Sequence, residues 1–183
     1  MELKDILYDA ISQYGEQRLV SDIAQGESSE AIQAIIEHCF AQIDEDEKSS
    51  PEMNGALAEG LMHYLLTISL IPSQRKTVMG QIEIDIAVPD TKTLATSPKD
   101  VVVVIFPKSD DVKVIQEYID KIKTVQPNLG NIWVVSEVET IPNVKTYSLK
   151  KDNLTFTNIV NDLIGFTSNK KQSKFKIFRI TEN

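Results

Sequence analysis

The chain has 183 residues, 42% hydrophobic and 25% charged, a composition that supports one globular domain with a sizeable core and leaves no room for two large ones. The formal net charge of −8 opposes phosphate binding at first sight, but residues 1–60 carry 3 basic and 14 acidic side chains and the remaining residues sum to +3. The longest apolar stretch, residues 60–71, is interrupted by His63 and Thr67, which excludes a membrane span.

Met1-Glu2-Leu3-Lys4-Asp5 lacks the basic start and apolar run of a signal peptide, and the lone Cys39 permits no internal disulfide, so the chain reads as cytoplasmic. Leu3, Ile6, Leu7, Ala10, Ile11 and Tyr14 recur at three- and four-residue steps and predict a first helix. A shorter helix carries Leu19, Val20, Ile23 and Ala24 up to Gly26, and Ile32, Ile35, Ile36, Cys39, Phe40 and Ile43 mark a third. Three helices suggest a helix-turn-helix, yet the third carries Glu30 and Glu37 with no Lys or Arg, so its charge opposes DNA. Packing, or contact with a protein partner, is the better use of this acidic segment. His38-Cys39 is no zinc site, because adjacent helical residues point apart and no second pair exists.

Asp44 to Pro51 is polar, acidic and rich in serine, and reads as a linker between an N-terminal helical subdomain, 1–50, and an α/β core, 51–183. It lacks the central glycine and closing glutamate of a calcium loop. From Asn54 to Ile71 a strongly apolar helix is expected, with Glu59, His63 and Thr67 forming a narrow polar stripe that faces water or a polar cavity. The alternation of Gln81 to Val88 predicts a strand with Gln81, Glu83 and Asp85 on one face and Ile82, Ile84 and Ile86 on the other. A loop from Pro89 to Lys99 precedes a second strand, Val101 to Lys108, whose six apolar residues predict burial on both faces. Pro107 cannot donate to a ladder and should leave Lys108 at the mouth of the sheet. Asp110 or Asp111 caps a helix with Val114, Tyr118, Ile119 and Ile122 inward, and Asn131 to Ser136 is the next strand, giving a parallel crossover unit. Val144 to Leu149 predicts a short strand, Ile159, Val160, Leu163 and Ile164 a last helix, and Phe175 to Ile180 a terminal strand. The seven glycines form no phosphate cradle, which argues against a Rossmann-type small-molecule binder.

Burying carboxylates beside a lysine at a strand end is costly unless they are paired or bind a metal. A helix with Glu59, then apolar-Asp85-apolar, then a valine-rich strand ending in Lys108, resembles the PD-(D/E)XK nuclease superfamily, including archaeal Holliday-junction resolvases and restriction-endonuclease-like proteins. The resemblance runs from about Gly55 to Ser136 and implies a restriction-endonuclease-like α/β fold, a mixed central sheet flanked by helices. It also implies metal-binding roles for Asp85 and Glu59, with magnesium or manganese as the ion, and a catalytic role for Lys108 in positioning or activating the attacking water. The sequence departs from the motif at Phe106, where an acid is expected two residues before the lysine; Glu83, on the face of Asp85, is the available substitute ligand.

Two readings follow. One is a metal-dependent nuclease with a rearranged or weakened site. The other keeps the fold without catalysis: the protein binds DNA or RNA through its basic half, or a protein through its acidic helices, and Asp85 and Lys108 persist as a buried ion pair. In either, Lys170, Lys171, Lys174, Lys176 and Arg179 of the tail could track a phosphate backbone, or guard the edge of the sheet. A homodimer is compatible with both.

Overall fold

The computed structural model describes residues 2–48, 50–138, 141–153 and 155–178, with the backbone alone at 151 and 170–178. The N-terminal periodicity becomes three helices, α1 (Leu3–Tyr14), α2 (Glu16–Gln25) and α3 (Ser28–Gln42). Gly26 closes α2 in the left-handed conformation, φ +79°, where its N–H meets the last carbonyls of the helix. The expected linker holds one turn of helix, α4 (Glu45–Lys48), before α5 (Pro51–Ile68) begins. Ser50 caps α5 by accepting the Met53 N–H at 3.3 Å, and Pro51 occupies its first turn, where a missing N–H does no harm.

Five strands form one mixed sheet in the order β1 (Gln74–Met79), β2 (Ile82–Val88), β3 (Val102–Ile105), β4 (Ile132–Val135) and β5 (Lys145–Tyr147). β1, β2 and β3 pair antiparallel, and β3, β4 and β5 pair parallel. The parallel step from β3 to β4 is the crossover that the sequence predicts, made through α7 (Val112–Lys123). The loop after β2 contains a further short helix, α6 (Thr91–Thr96), capped by the Asp90 carboxylate on the Thr93 N–H at 2.6 Å. β1 was not expected: Gln74-Arg75-Lys76-Thr77 is polar throughout and shows no alternation, as an edge strand with little to bury permits.

The final helix, α8 (Ile159–Phe178), takes in residues 175–178 of the terminal strand expected from Phe175 to Ile180 and overturns it there; residues 179 and 180 lie outside the described residues. Once a helix is nucleated, each further residue adds a hydrogen bond without the initiation cost, so Lys, Gln and Phe continue it despite the strand-like spacing of Phe175 and Ile177.

The sheet is covered on both faces. On one side Ile86, Val88, Val102, Val104, Phe106, Trp133 and Val135 share a core with α1, α2, α3, α5 and the start of α8. On the other, Ile84, Ala87, Val103, Ile105, Ile132 and Val134 pack on Leu94 of α6 and Ile115, Ile119 and Ile122 of α7. Burial of β3 on both sides accounts for its unbroken valine run. Val114, expected to face inward, is 50% exposed. Ile115, Ile119 and Ile122 fall four and three residues apart and take the inner stripe, which turns Val114 outward.

Helix α5 lies close over the end of β3. A Cβ on Gly55 would stand 3.3 Å from the Pro107 carbonyl oxygen and 3.6 Å from that of Phe106, so any side chain here crowds the backbone that follows β3. Gly55→Val should therefore cost about 1–3 kcal/mol in urea unfolding. Gly165→Ala, in α8 with nothing within 4 Å of the added methyl, should gain roughly 0.5–1 kcal/mol. Equal effects at the two sites would contradict this packing.

Candidate active site

Asp85 sits where β2 leaves both neighbours. The β1 ladder pairs Thr77 with Ile84 and Arg75 with Ile86 but omits the step between, and pairing with β3 begins only at Ile86. Opposite the gap, Lys76 adopts a left-handed backbone, φ +47°, at a cost of roughly 1–2 kcal/mol for a side chain of this kind. The twist there sends Ile84 into the α7 core and Ile86 into the α5 core, so the two isoleucines do not share a face as simple alternation predicts. The space between β2 and β3 is bridged by the Asp85 carboxylate, whose Oδ2 accepts the Phe106 N–H at 2.8 Å. A hydrogen bond to a charged acceptor is worth about 1.5–3 kcal/mol, enough to hold this opening of the sheet.

Asp85, Glu83 and Lys108 line one open cleft of about 360 Å³. Helix α7 adds Glu117, Tyr118 and Lys121 to it. Burial pushes the Asp85 carboxyl above the usual carboxylate range; the Phe106 amide opposes that rise, nearby Glu59 adds to it, and Tyr118 and Lys108 oppose it more weakly. Burial, together with Asp85, also pushes the Tyr118 hydroxyl up, so it stays protonated as a donor toward Asp85. Lys108 is exposed, and no ion pair joins it to Asp85 among the described residues, which corrects the expectation of a buried pair. β3 ends at Ile105, and Pro107, which has no N–H to continue the ladder, precedes Lys108 outside the sheet, exposed to water.

Glu59 does not line the cleft. It is 7% exposed, and its Oε1 accepts Arg75 Nε at 3.1 Å with Lys76 Nζ at 3.8 Å, both from β1. Its stripe partners His63 and Thr67 are exposed, and the Thr67 hydroxyl donates to the His63 carbonyl at 2.8 Å. Phe106, at the position of the expected acid, turns its ring into the α5 core at 3% exposure, so only its amide reaches the site. Among the described residues no three His, Cys, Asp or Glu side chains converge as a metal-holding group. Lys170, Lys171, Lys174 and Lys176 lie on the backbone of α8, and Arg179 lies outside the described residues.

Sequence reasoning missed Glu117 and Lys121; Tyr118, read as facing inward, packs against the α7-side core and lines the cleft as well. The available signal was their spacing: Glu117 and Lys121 are four apart, and with Val114 and Tyr118 they lie along one side of α7 next to the buried isoleucine stripe.

Because its acid form is favoured in the fold, Asp85 binds more protons folded than unfolded between the unfolded carboxylate range, about 3.9, and its raised folded value. Its contribution to stability is therefore full below that range and is lost as pH rises through the folded pKa. Asp85→Asn keeps an oxygen for the Phe106 N–H and removes the charge. It should be more stable than the native chain at pH 7, with the gain fading as pH falls; chemical unfolding at several pH values checks this, and a pH-independent difference would contradict it.

No known protein family and no curated protein gives a match to this chain. Among solved structures it is similar to one described as restriction endonuclease PspGI in complex with substrate DNA, with a TM-score of 0.63 and 13% identity over 92% of this chain and 94% of that one. The five-stranded mixed sheet between helical layers thus has the restriction-endonuclease-like fold.

Proposed function

We propose that the chain is a metal-dependent nuclease acting on DNA, of the PD-(D/E)XK kind, with its site in the cleft at the parting of β2 and β3. The observation that carries the reading is the arrival of Asp85, Glu83 and Lys108 in one open cleft, within a fold shared with a restriction endonuclease. That structure's description as a DNA complex supports DNA as the substrate. No long apolar helix among the described residues could cross a membrane.

Magnesium or manganese fits these residues in a limited way. Such ions take one or two carboxylates and keep several waters, which Asp85 with Glu83 or Glu117 can satisfy on an open cleft. Glu59 fits poorly as a direct ligand, since Arg75 and Lys76 already hold its carboxylate. When bound, the cation would polarise a phosphoryl oxygen and make a nearby water more acidic. Lys108, exposed at the rim, neutralises phosphate charge or holds the attacking water. Tyr118 and the Phe106 amide fix the Asp85 carboxylate in orientation. Glu59 acts indirectly, by holding Arg75 and Lys76 of β1 beside Asp85.

A second reading, a non-catalytic DNA-binding module, is favoured by Phe106, whose buried ring replaces the expected ligand. Labelled single-stranded, duplex and branched DNA incubated with magnesium or manganese separates the two. Cleavage that Asp85→Ala and Lys108→Ala each reduce by about a hundredfold or more is expected. Cleavage unaffected by either substitution, or salt-sensitive binding with no cleavage on any substrate, would overturn the nuclease reading.

A further inference from the structure

A hollow of about 510 Å³ opens between α1, α5 and β1, outside the cleft, and no role above uses it. Its size is that of a small-molecule site. Its wall carries three side chains able to bear positive charge, Lys4 of α1, His63 of α5 and Arg75 of β1, and no carboxylate. Leu7 and Ile11 form an apolar floor, both buried, and Tyr8 presents a ring that is 54% exposed. Lys4 Nζ stands 5.8 Å from the centre of that ring, so cation and aromatic face are already side by side. The Tyr64 hydroxyl, at the same wall, is buried, and burial together with nearby Glu16 pushes its pKa up.

Arg75 is the best-placed anion binder. Glu59 accepts its Nε–H at 3.1 Å and orients the guanidinium, which leaves its remaining N–H donors for another acceptor. A charge-bearing acid behind the arginine and none in the hollow itself is the arrangement that presents a cation to a ligand. The polar stripe read from the sequence also acquires a use here, since His63 and Thr67 both line the hollow.

We propose that this hollow binds a nucleoside monophosphate, its phosphate against Arg75 and Lys4 and its base on Tyr8 above the apolar floor. A phosphate monoester is close to a dianion at neutral pH, which matches two permanent cations and an imidazole, and the aromatic base matches the exposed ring. The site is separate from the cleft of Asp85 and needs no metal.

Titration calorimetry of the full chain in metal-chelating buffer, with AMP, adenosine and inorganic phosphate as probes, tests this. AMP should bind saturably, and adenosine and phosphate alone at least about tenfold more weakly. Lys4→Glu and Tyr8→Ala, both at exposed positions and so compatible with folding, should each weaken AMP by about fivefold or more with unchanged thermal unfolding. Arg75→Gln should abolish binding, but it also unpairs Glu59, so the two exposed variants carry the decision. Asp85→Asn, which keeps an acceptor for the Phe106 N–H, should leave AMP binding as it was, whether or not the chain cleaves DNA. No saturable binding up to millimolar AMP, binding indifferent to both Lys4→Glu and Tyr8→Ala, or binding that Asp85→Asn removes would each overturn the proposal.

Discussion

The hydrogen bond from the Phe106 amide to the Asp85 carboxylate is the contact on which the site depends. It replaces a rung of the ladder at the one place where β2 is released from both neighbours. A backbone carbonyl in that place would have kept β2 and β3 together and turned the acid to one face. A side-chain acceptor instead spreads the strands, sends Ile84 and Ile86 to opposite cores and opens a cleft that α7 can reach. The cost is a carboxylate kept in poor solvent, visible in its raised pKa, and a lysine forced into a left-handed backbone across the gap. Such local expense is tolerable because both faces of the sheet are otherwise densely buried.

The acidic N-terminal helices belong to that burial. α1, α2 and α3 share one apolar core with α5 and the sheet, so their carboxylates are the outer surface of a layer whose inner surface is isoleucine, leucine and alanine. Their charge is held locally: Asp9 on α1 accepts from Gln42 at 3.0 Å and meets His38 at 3.1 Å on α3, and Asp22 accepts the Tyr14 hydroxyl at 2.6 Å. Glu59 is the acid of this half that faces the sheet, and two cations of β1 meet it. Through Arg75 it connects the region of Asp85 with the hollow beside α1, so one ion pair stands between two surfaces of different chemistry.

Helices with a single apolar stripe, such as α1 and α3, the nearly all-apolar α5, and strands buried on both sides, β3 and β4, were legible because burial imposes a period or an unbroken run on the residues. β1 was illegible because a polar edge strand takes its structure from its neighbour, and Phe175 misled because alternation over four residues cannot outweigh a helix already running. At the site, Asp85 and Lys108 could be read from strand ends and a proline. The partner of Glu59 could not, because an arginine 16 residues away on an unrecognised strand leaves no local signal. Nor could the outward turn of Val114, which rests on a one-residue difference in the phase of α7.

The central claim is that the opened sheet at Asp85 is a cation-binding cleft. Its most direct test is a manganese titration followed by the amide resonances of the full chain. A bound paramagnetic ion should broaden Phe106 and its neighbours at Asp85 and Lys108 first, and Asp85→Asn should remove the effect. Broadening centred instead on the acidic turn at Glu45–Lys48, or none at Phe106, would contradict the account.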